Sequence, residues 1–222
     1  MTAGKRKLHS HKKGGGKGYN RRSIRRREPG ERFLIVCEGE KTEPYYFENF
    51  HLPGLINVDA QGYGVSPPKL VERALALRRQ SSQRRGRDPY DQVWCVFDKD
   101  DWNERDFDSA IRRAENQGLR VAYSNQAFEI WYLLHFHFYN SPMHRKDYEN
   151  KLSELLDSPY DKSSPGMYGR LRSRQGTAIR NAKRLLAFYP NPQPSVDNPS
   201  TTVHILVEEL NRFLPENRRN TA

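Results

Sequence analysis

The sequence is short of apolar residues and of cysteine. Only 35% of its 222 residues are hydrophobic, and no apolar run is long enough to cross a membrane. The two cysteines, Cys37 and Cys95, are too few for a disulfide framework, and both lie in predicted core strands, as reduced thiols do. The first thirty residues also lack the apolar segment of a secretory signal. We therefore expect a cytoplasmic protein with a single adequate core and no membrane segment.

Acidic residues are nearly absent from the first 30 residues, which hold 11 Lys and Arg and one acid, Glu28. That leaves 27 of the 38 basic residues and 26 of the 27 acidic residues for the rest of the chain, so most of the net charge of +11 lies in this segment. Such a composition predicts a disordered basic tail over residues 1–30. The tail is expected to contact nucleic-acid phosphates; a solvated tail with no single partner is the alternative. The candidate residues are Lys12, Lys13, Arg25, Arg26 and Arg27.

The remaining chain is organised around the apolar stretch Phe33 to Cys37, which is followed by Glu38 and Gly39. Its composition predicts a strand buried on both faces, as in a parallel sheet. Ligand sites in open α/β sheets lie beyond the carboxyl ends of the strands. Glu38 is therefore a candidate for chemistry, and the alternative is a solvated glutamate in a turn.

A second strand, from Val93 to Phe97, ends in the same way, with Asp98, Asp100 and Asp101. Clustered carboxylates are hard oxygen ligands that suit Mg²⁺ or Mn²⁺. The alternative is the start of a helix, because Asp and Asn are common N-caps.

Strands and helices alternate along residues 31–138, which predicts an α/β fold with a mostly parallel sheet and flanking helices. Further strands are expected at 55–60 and 119–124, and helices at 43–50, 66–80 and 107–117. Residues 139–222 read as a helical C-terminal extension packed on this core. Its three helices are expected at 145–156, 168–188 and 200–213, the last with Ser200 as its cap.

One predicted helix, from 126 to 138 with Asn125 as its cap, is apolar on nearly all sides and contains Glu129. A buried carboxylate needs a partner, because an isolated buried charge is costly. The partner is either the N-terminus of its own helix or a cation held beside Glu38 and Asp98.

Two of these patterns resemble Toprim motifs: a strand followed by Glu38-Gly39, and Asp98-Lys99-Asp100. More specifically, residues 31–214 resemble the RloB-like proteins, a small Toprim family of bacterial defence and restriction loci. The resemblance extends to Ser124–Phe136 and to Asn198–His204. One departure is Gln126-Ala127, where Pro-Cys is expected in the family.

The resemblance implies a Toprim-like, Rossmann-like fold and a divalent-metal-dependent nuclease, acting on tRNA or other nucleic acid in an antiviral defence or restriction system. Glu38, Asp98 and Asp100 would bind Mg²⁺ or Mn²⁺. Glu38 and Glu129 would serve catalysis, and Lys41 would stabilise phosphate charge. The family also implies an ATPase partner. The alternative is a non-catalytic subunit of a defence complex that binds or senses nucleic acid.

Overall fold

The structure, a computed structural model, describes Met1 and residues 31–50, 52, 56–60, 65–83 and 89–214. The predicted basic tail, with Lys12, Lys13, Arg25, Arg26 and Arg27, lies outside the described residues.

Four parallel strands form the main part of the sheet. They are β1 (Phe33–Cys37), β2 (Ile56–Ala60), β3 (Gln92–Asp98) and β4 (Arg120–Asn125). Their spatial order is β2-β1-β3-β4, and all three pairings are parallel. The chain thus has the α/β, Rossmann-like architecture predicted from its alternating pattern. All four carboxyl ends lie at one edge, as they must in parallel strands.

Helices connect the strands and follow them. Before the last strand of the parallel set come α1 (Thr42–Glu48), α2 (Pro67–Gln83) and α3 (Glu104–Asn116). After it come α4 (Glu129–Leu133), α5 (Arg145–Leu155), α6 (Met167–Leu171), α7 (Gln175–Ala187) and α8 (Val203–Asn211). In the described part of the chain, no helix is both long and apolar enough to span a bilayer.

The sheet is buried on both faces, as the continuous apolar run of β1 predicts. Alternate residues of a strand point to opposite faces. Accordingly, Phe33 and Ile35 join a large core with α1 and the helices from α4 onward. Leu34 and Val36 join a smaller core with α2 and α3. The described residues after 138 contribute side chains such as Leu152 to the larger core.

Two helix predictions are wrong in extent. The helix expected over 126–138 is only α4, and Asn125 is the last residue of β4 rather than its cap. The Asn125 side chain instead donates a hydrogen bond to the carbonyl oxygen of Pro194 at 3.1 Å. The helix expected over 168–188 is broken into α6 and α7 by a 3-10 turn at Arg172–Arg174.

One strand of the sheet was not predicted from the sequence. Ser200–Thr201, predicted as the start of a helix, forms β5, which pairs antiparallel with the end of β4. Both residues are fully buried. The Thr201 hydroxyl donates to the carbonyl oxygen of Tyr123 at 3.0 Å and lies 3.2 Å from the hydroxyl of Ser124. The C-terminal part of the chain therefore completes the sheet as well as adding helices.

Candidate functional site

Glu38 and Asp98 meet at the carboxyl edge because β1 and β3 are neighbours. The backbone N–H of Asp98 donates to Glu38 Oε2 at 3.1 Å. The indole N–H of Trp102 donates to Glu38 Oε1 at 3.0 Å. Both carboxylate oxygens of Glu38 are therefore fixed. Burial raises the pKa of Glu38, although these two hydrogen bonds act to lower it.

Asp98 has one satisfied and one unsatisfied carboxylate oxygen. Its Oδ2 accepts a hydrogen bond from the backbone N–H of Phe128 at 2.9 Å. Its Oδ1 is buried and has no hydrogen-bond partner among the described residues. Burial, followed by the charges of Glu43, Glu38 and Glu129, raises the pKa of Asp98 well above its usual range. This oxygen needs either a proton or a cation.

Glu43 is a further acid at this site, and the sequence analysis assigned it no role. It lies in the first turn of α1 and is only 5% exposed. A Cβ atom on Gly39 would lie 2.3 Å from Glu43 Oε2, so the glycine makes room for this carboxylate. Burial raises the pKa of Glu43 to about 7, and the charges of Glu129 and Glu38 act in the same direction. The signal available in the sequence was an acid just after the Glu38-Gly39 strand end.

Glu129 is 3% exposed and begins α4. Its Oε1 accepts a hydrogen bond from the hydroxyl of Tyr160 at 3.0 Å and lies 3.4 Å from the ammonium nitrogen of Lys162. The same ammonium lies 3.0 Å from a carboxylate oxygen of Glu149. The buried carboxylate therefore has a hydroxyl and an ammonium as partners, and both come from a single loop.

This loop, residues 157–166, joins α5 to α6 and forms one wall of the site. The hydroxyl of Thr42 donates to the carbonyl oxygen of Lys162 at 3.4 Å. The Asn49 amide donates to the carbonyl oxygen of Pro165 at 3.5 Å. The loop is thus tied to α1 and its C-terminal turn, and it brings Lys162 to the acids.

Asp100 has a different environment from Asp98. Its backbone has a φ of 40°, in the left-handed region that Asp tolerates better than most residues. Its carboxylate is paired with the guanidinium of Arg145, which also lies 2.7 Å from a carboxylate oxygen of Asp101. Asp100 therefore borders the site with its charge already compensated.

These residues surround one cavity of about 290 Å³. All five predicted site residues in the described part of the chain line it: Glu38, Lys41, Asp98, Asp100 and Glu129. Glu43, Trp102 and Lys162 line it as well. The described part of the chain contains no group of three or more His, Cys, Asp or Glu residues arranged to hold one metal ion together. The cavity thus combines separated carboxylates with two lysines.

Comparison with known proteins gives one finding. A comparison with protein families matches residues 33–210 to the family described as RloB-like protein. Comparisons with curated proteins and with solved structures gave no match. The matched residues include Glu38, Glu43, Asp98 and Glu129, which line the cavity, and extend into α8. The chain therefore belongs to the RloB-like protein family.

Proposed function

We propose that the chain is a divalent-metal-dependent hydrolase of phosphodiester bonds in nucleic acid. The observation that carries the proposal is the buried Oδ1 of Asp98, which has no partner in the part of the chain that the structure describes and lies among the carboxylates of Glu38, Glu43 and Glu129. Six acids and two lysines line the cavity, so it repels phosphate unless a further cation is present. A binding site for nucleic acid alone has no use for such a group of acids.

The donor atoms fit Mg²⁺ or Mn²⁺, because carboxylate oxygens suit hard cations. Mg²⁺ usually keeps several waters and takes only one or two carboxylates, with substrate phosphates as further ligands. Asp98 would hold the ion through Oδ1, with Glu38 or Glu43 as its second carboxylate. Such an ion neutralises phosphate charge and lowers the pKa of a bound water.

The chain's own residues supply the remaining functions. Hydrogen bonds from Trp102 and from the backbone of Asp98 hold Glu38 in one orientation. Lys41 and Lys162 line the cavity, and their ammonium groups can neutralise the negative charge of a phosphate. Tyr160 and Lys162 hold Glu129 beside the site.

The test is cleavage of labelled tRNA, single-stranded DNA and plasmid in Mg²⁺, Mn²⁺ or EDTA. Asp98→Asn removes the proposed ligand, and Asp101→Asn makes the same chemical change at an exposed residue outside the cavity. We expect metal-dependent cleavage that Asp98→Asn abolishes and Asp101→Asn retains. Cleavage in EDTA, or full activity of Asp98→Asn, would contradict the proposal.

A second candidate is a non-catalytic subunit that binds or senses nucleic acid. The pairing of Asp100 with Arg145 favours it, because that carboxylate is then occupied. We further propose, as the family resemblance implies, a defence role with an ATPase partner. Salt-sensitive binding without cleavage, even with the ATPase added, would favour the second candidate over the nuclease.

A further inference from the structure

A long part of the chain carries positive charge without any acid. Residues 162–196 contain seven Lys and Arg and no Asp or Glu. Six of them lie between Arg170 and Arg184, on α6, the 3-10 turn and α7. In α7 the buried residues are Gln175, Ala178, Ala182 and Leu185, whereas Arg180 and Arg184 are exposed. Because Arg180 and Arg184 are four residues apart, they share one face of the helix.

Two arginines of this region lie over aromatic rings. The guanidinium carbon of Arg174 is 4.7 Å from the ring centroid of Phe136. That of Arg184 is 4.0 Å from the ring centroid of Phe138. Both rings are partly exposed and belong to the segment that follows α4. The rings hold the two arginines in place, which reduces the side-chain entropy lost when they bind a ligand.

The charges of Arg174 and Arg184 are not compensated within the described residues. Lys183, next to Arg184, forms an ion pair with Glu208 at 2.6 Å. In contrast, neither Arg174 nor Arg184 forms an ion pair in the part of the chain that the structure describes. Both are exposed. The surface thus presents two cations, each backed by an aromatic ring.

We propose that this surface, formed by Arg174, Arg180, Arg184, Phe136 and Phe138, binds single-stranded nucleic acid. Nucleic-acid bases stack on guanidinium planes and aromatic rings, and this requires bases that are not stacked within a duplex. The phosphates complement the positive charge of α7. This surface makes single-stranded nucleic acid the substrate class of the proposed nuclease. Only that assignment rests on the proposed function; the binding itself does not.

The surface lies near the acidic cavity along the chain. Phe136 is seven residues after Glu129, and helical hydrogen bonds continue beyond α4, from Leu134 N to Ile130 O at 3.0 Å and from His137 N to Leu133 O at 3.2 Å. At a rise of 1.5 Å per residue, Phe136 is about 10 Å from Glu129 along this path. The segment that carries the rings of Phe136 and Phe138 therefore follows directly on the helix that begins with Glu129.

The experiment is fluorescence anisotropy with the full chain in EDTA, across a series of salt concentrations. The probes are a labelled oligonucleotide as a single strand and the same sequence as a duplex. Three double variants are compared: Arg174→Gln with Arg184→Gln, Arg174→Lys with Arg184→Lys, and Arg105→Gln with Arg112→Gln. The last pair is the control, because these exposed arginines lie on α3, on the other face of the sheet.

We expect the Gln variant to bind the single strand roughly tenfold or more weakly, since stacking and phosphate contact are both lost. The slope of log affinity against log salt should fall by about 0.7 for each phosphate contact removed. The Lys variant keeps the charge but not the planar group, so it should restore the salt slope and not the full affinity. The control should bind like the wild type.

Equal loss in the control, equal affinity for duplex and single strand, or full rescue by lysine would overturn the proposal. Because binding is measured without metal, it does not depend on catalysis. A failure of cleavage would thus leave the binding result standing, and a failure of binding would leave cleavage to be judged separately.

Discussion

The carboxylate of Glu38 accepts a hydrogen bond from the backbone N–H of Asp98 at 3.1 Å, across two neighbouring strands. This hydrogen bond joins the end of β1 to the end of β3 and holds the Glu38 carboxylate beside Asp98. Among the described residues, Oδ1 of Asp98 has neither a hydrogen-bond partner nor an ion-pair partner, whereas the carboxylate of Asp100 is paired with Arg145.

Metal binding is expected to raise stability through Asp98. At a Mg²⁺ concentration about 100 times the dissociation constant, a single site adds about 2.7 kcal/mol to the free energy of unfolding. Asp98→Asn should lose most of this gain. In EDTA it should be more stable than the wild type, because the amide lacks the carboxylate charge that burial and the neighbouring acids disfavour. Thermal melting with and without Mg²⁺ checks both changes, and an unchanged metal response in Asp98→Asn would contradict them.

Gly39→Ala should disturb the site without unfolding the protein. The new methyl group would lie 2.3 Å from Glu43 Oε2, so the buried carboxylate must move, at a cost of about 1–3 kcal/mol. The control is Gly169→Ala, since its Cβ would meet nothing within 4 Å. Chemical denaturation gives both free energies of unfolding, and an equal effect of the two substitutions would show that Gly39 is not needed to accommodate Glu43.

The protonation of Glu43 should make stability depend on pH. Its pKa in the folded protein is about 7, against an ordinary value of 4.5. Between these values the folded state holds a proton that the unfolded state has released, so stability falls as pH rises from about 4.5 to about 7. Glu43→Gln should remove this part of the dependence.

The measurement is thermal melting in EDTA at about pH 5 and about pH 8. His135 and His204 act in the opposite direction, because burial lowers the pKa of each to about 4. The contribution of the two histidines is common to the wild type and to Glu43→Gln. Because the charge of Glu43 also helps to raise the pKa of Asp98, the difference between the two proteins reports Glu43 together with its effect on Asp98. An equal pH dependence in both would contradict the assignment.

Lys162→Met should destabilise the protein through Glu129. The buried carboxylate would keep Tyr160 as a partner and lose its ammonium. Because the Lys162 side chain is 49% exposed, we expect a loss of roughly 1 kcal/mol rather than that of a fully buried pair.

The variant with both Lys162→Met and Glu129→Gln should recover most of that stability, as the double-mutant cycle will show. The control is Lys183→Met, whose partner Glu208 is 39% exposed and should tolerate the loss of the lysine. Additive effects of the two site substitutions would rule out the coupling.

Thr201→Val should cost about 1–3 kcal/mol, because a fully buried hydroxyl with hydrogen bonds to β4 is removed while volume is kept. Thr177→Val, at a partly exposed position on α7, is the control and should have little effect. Denaturant midpoints distinguish the two, and near-neutral behaviour of Thr201→Val would mean that β5 adds little to the sheet.

The strand ends were predictable because an apolar run followed by an acid is a strong local signal. Glu38 and Asp98 then come together through the topology of a parallel sheet. Glu43 was overlooked because an acid in the first turn of a helix has an ordinary explanation, interaction with the helix dipole. Lys162 reaches the cavity from a loop without periodicity, so only the tertiary structure reveals it.

The wrong predictions, for the helix over 126–138 and for β5, also have physical causes. The segment after Leu133 continues the apolar pattern, but Phe136 packs under Arg174 of the 3-10 turn and Phe138 under Arg184 of α7 instead of continuing a long buried helix. β5 has only two residues, which is too short for alternation to be visible. Its hydrogen bonds, not its pattern, define it.

The pairing of β5 with β4 also bears on how the chain folds during synthesis. Thr201 and Ser124 are 77 residues apart, so the outer edge of β4 has no partner strand until the C-terminal part has been made. An open strand edge invites pairing with other chains. A nascent or truncated chain that stops before Ser200 should therefore aggregate more readily than the full chain, and contacts of such long range favour slow folding.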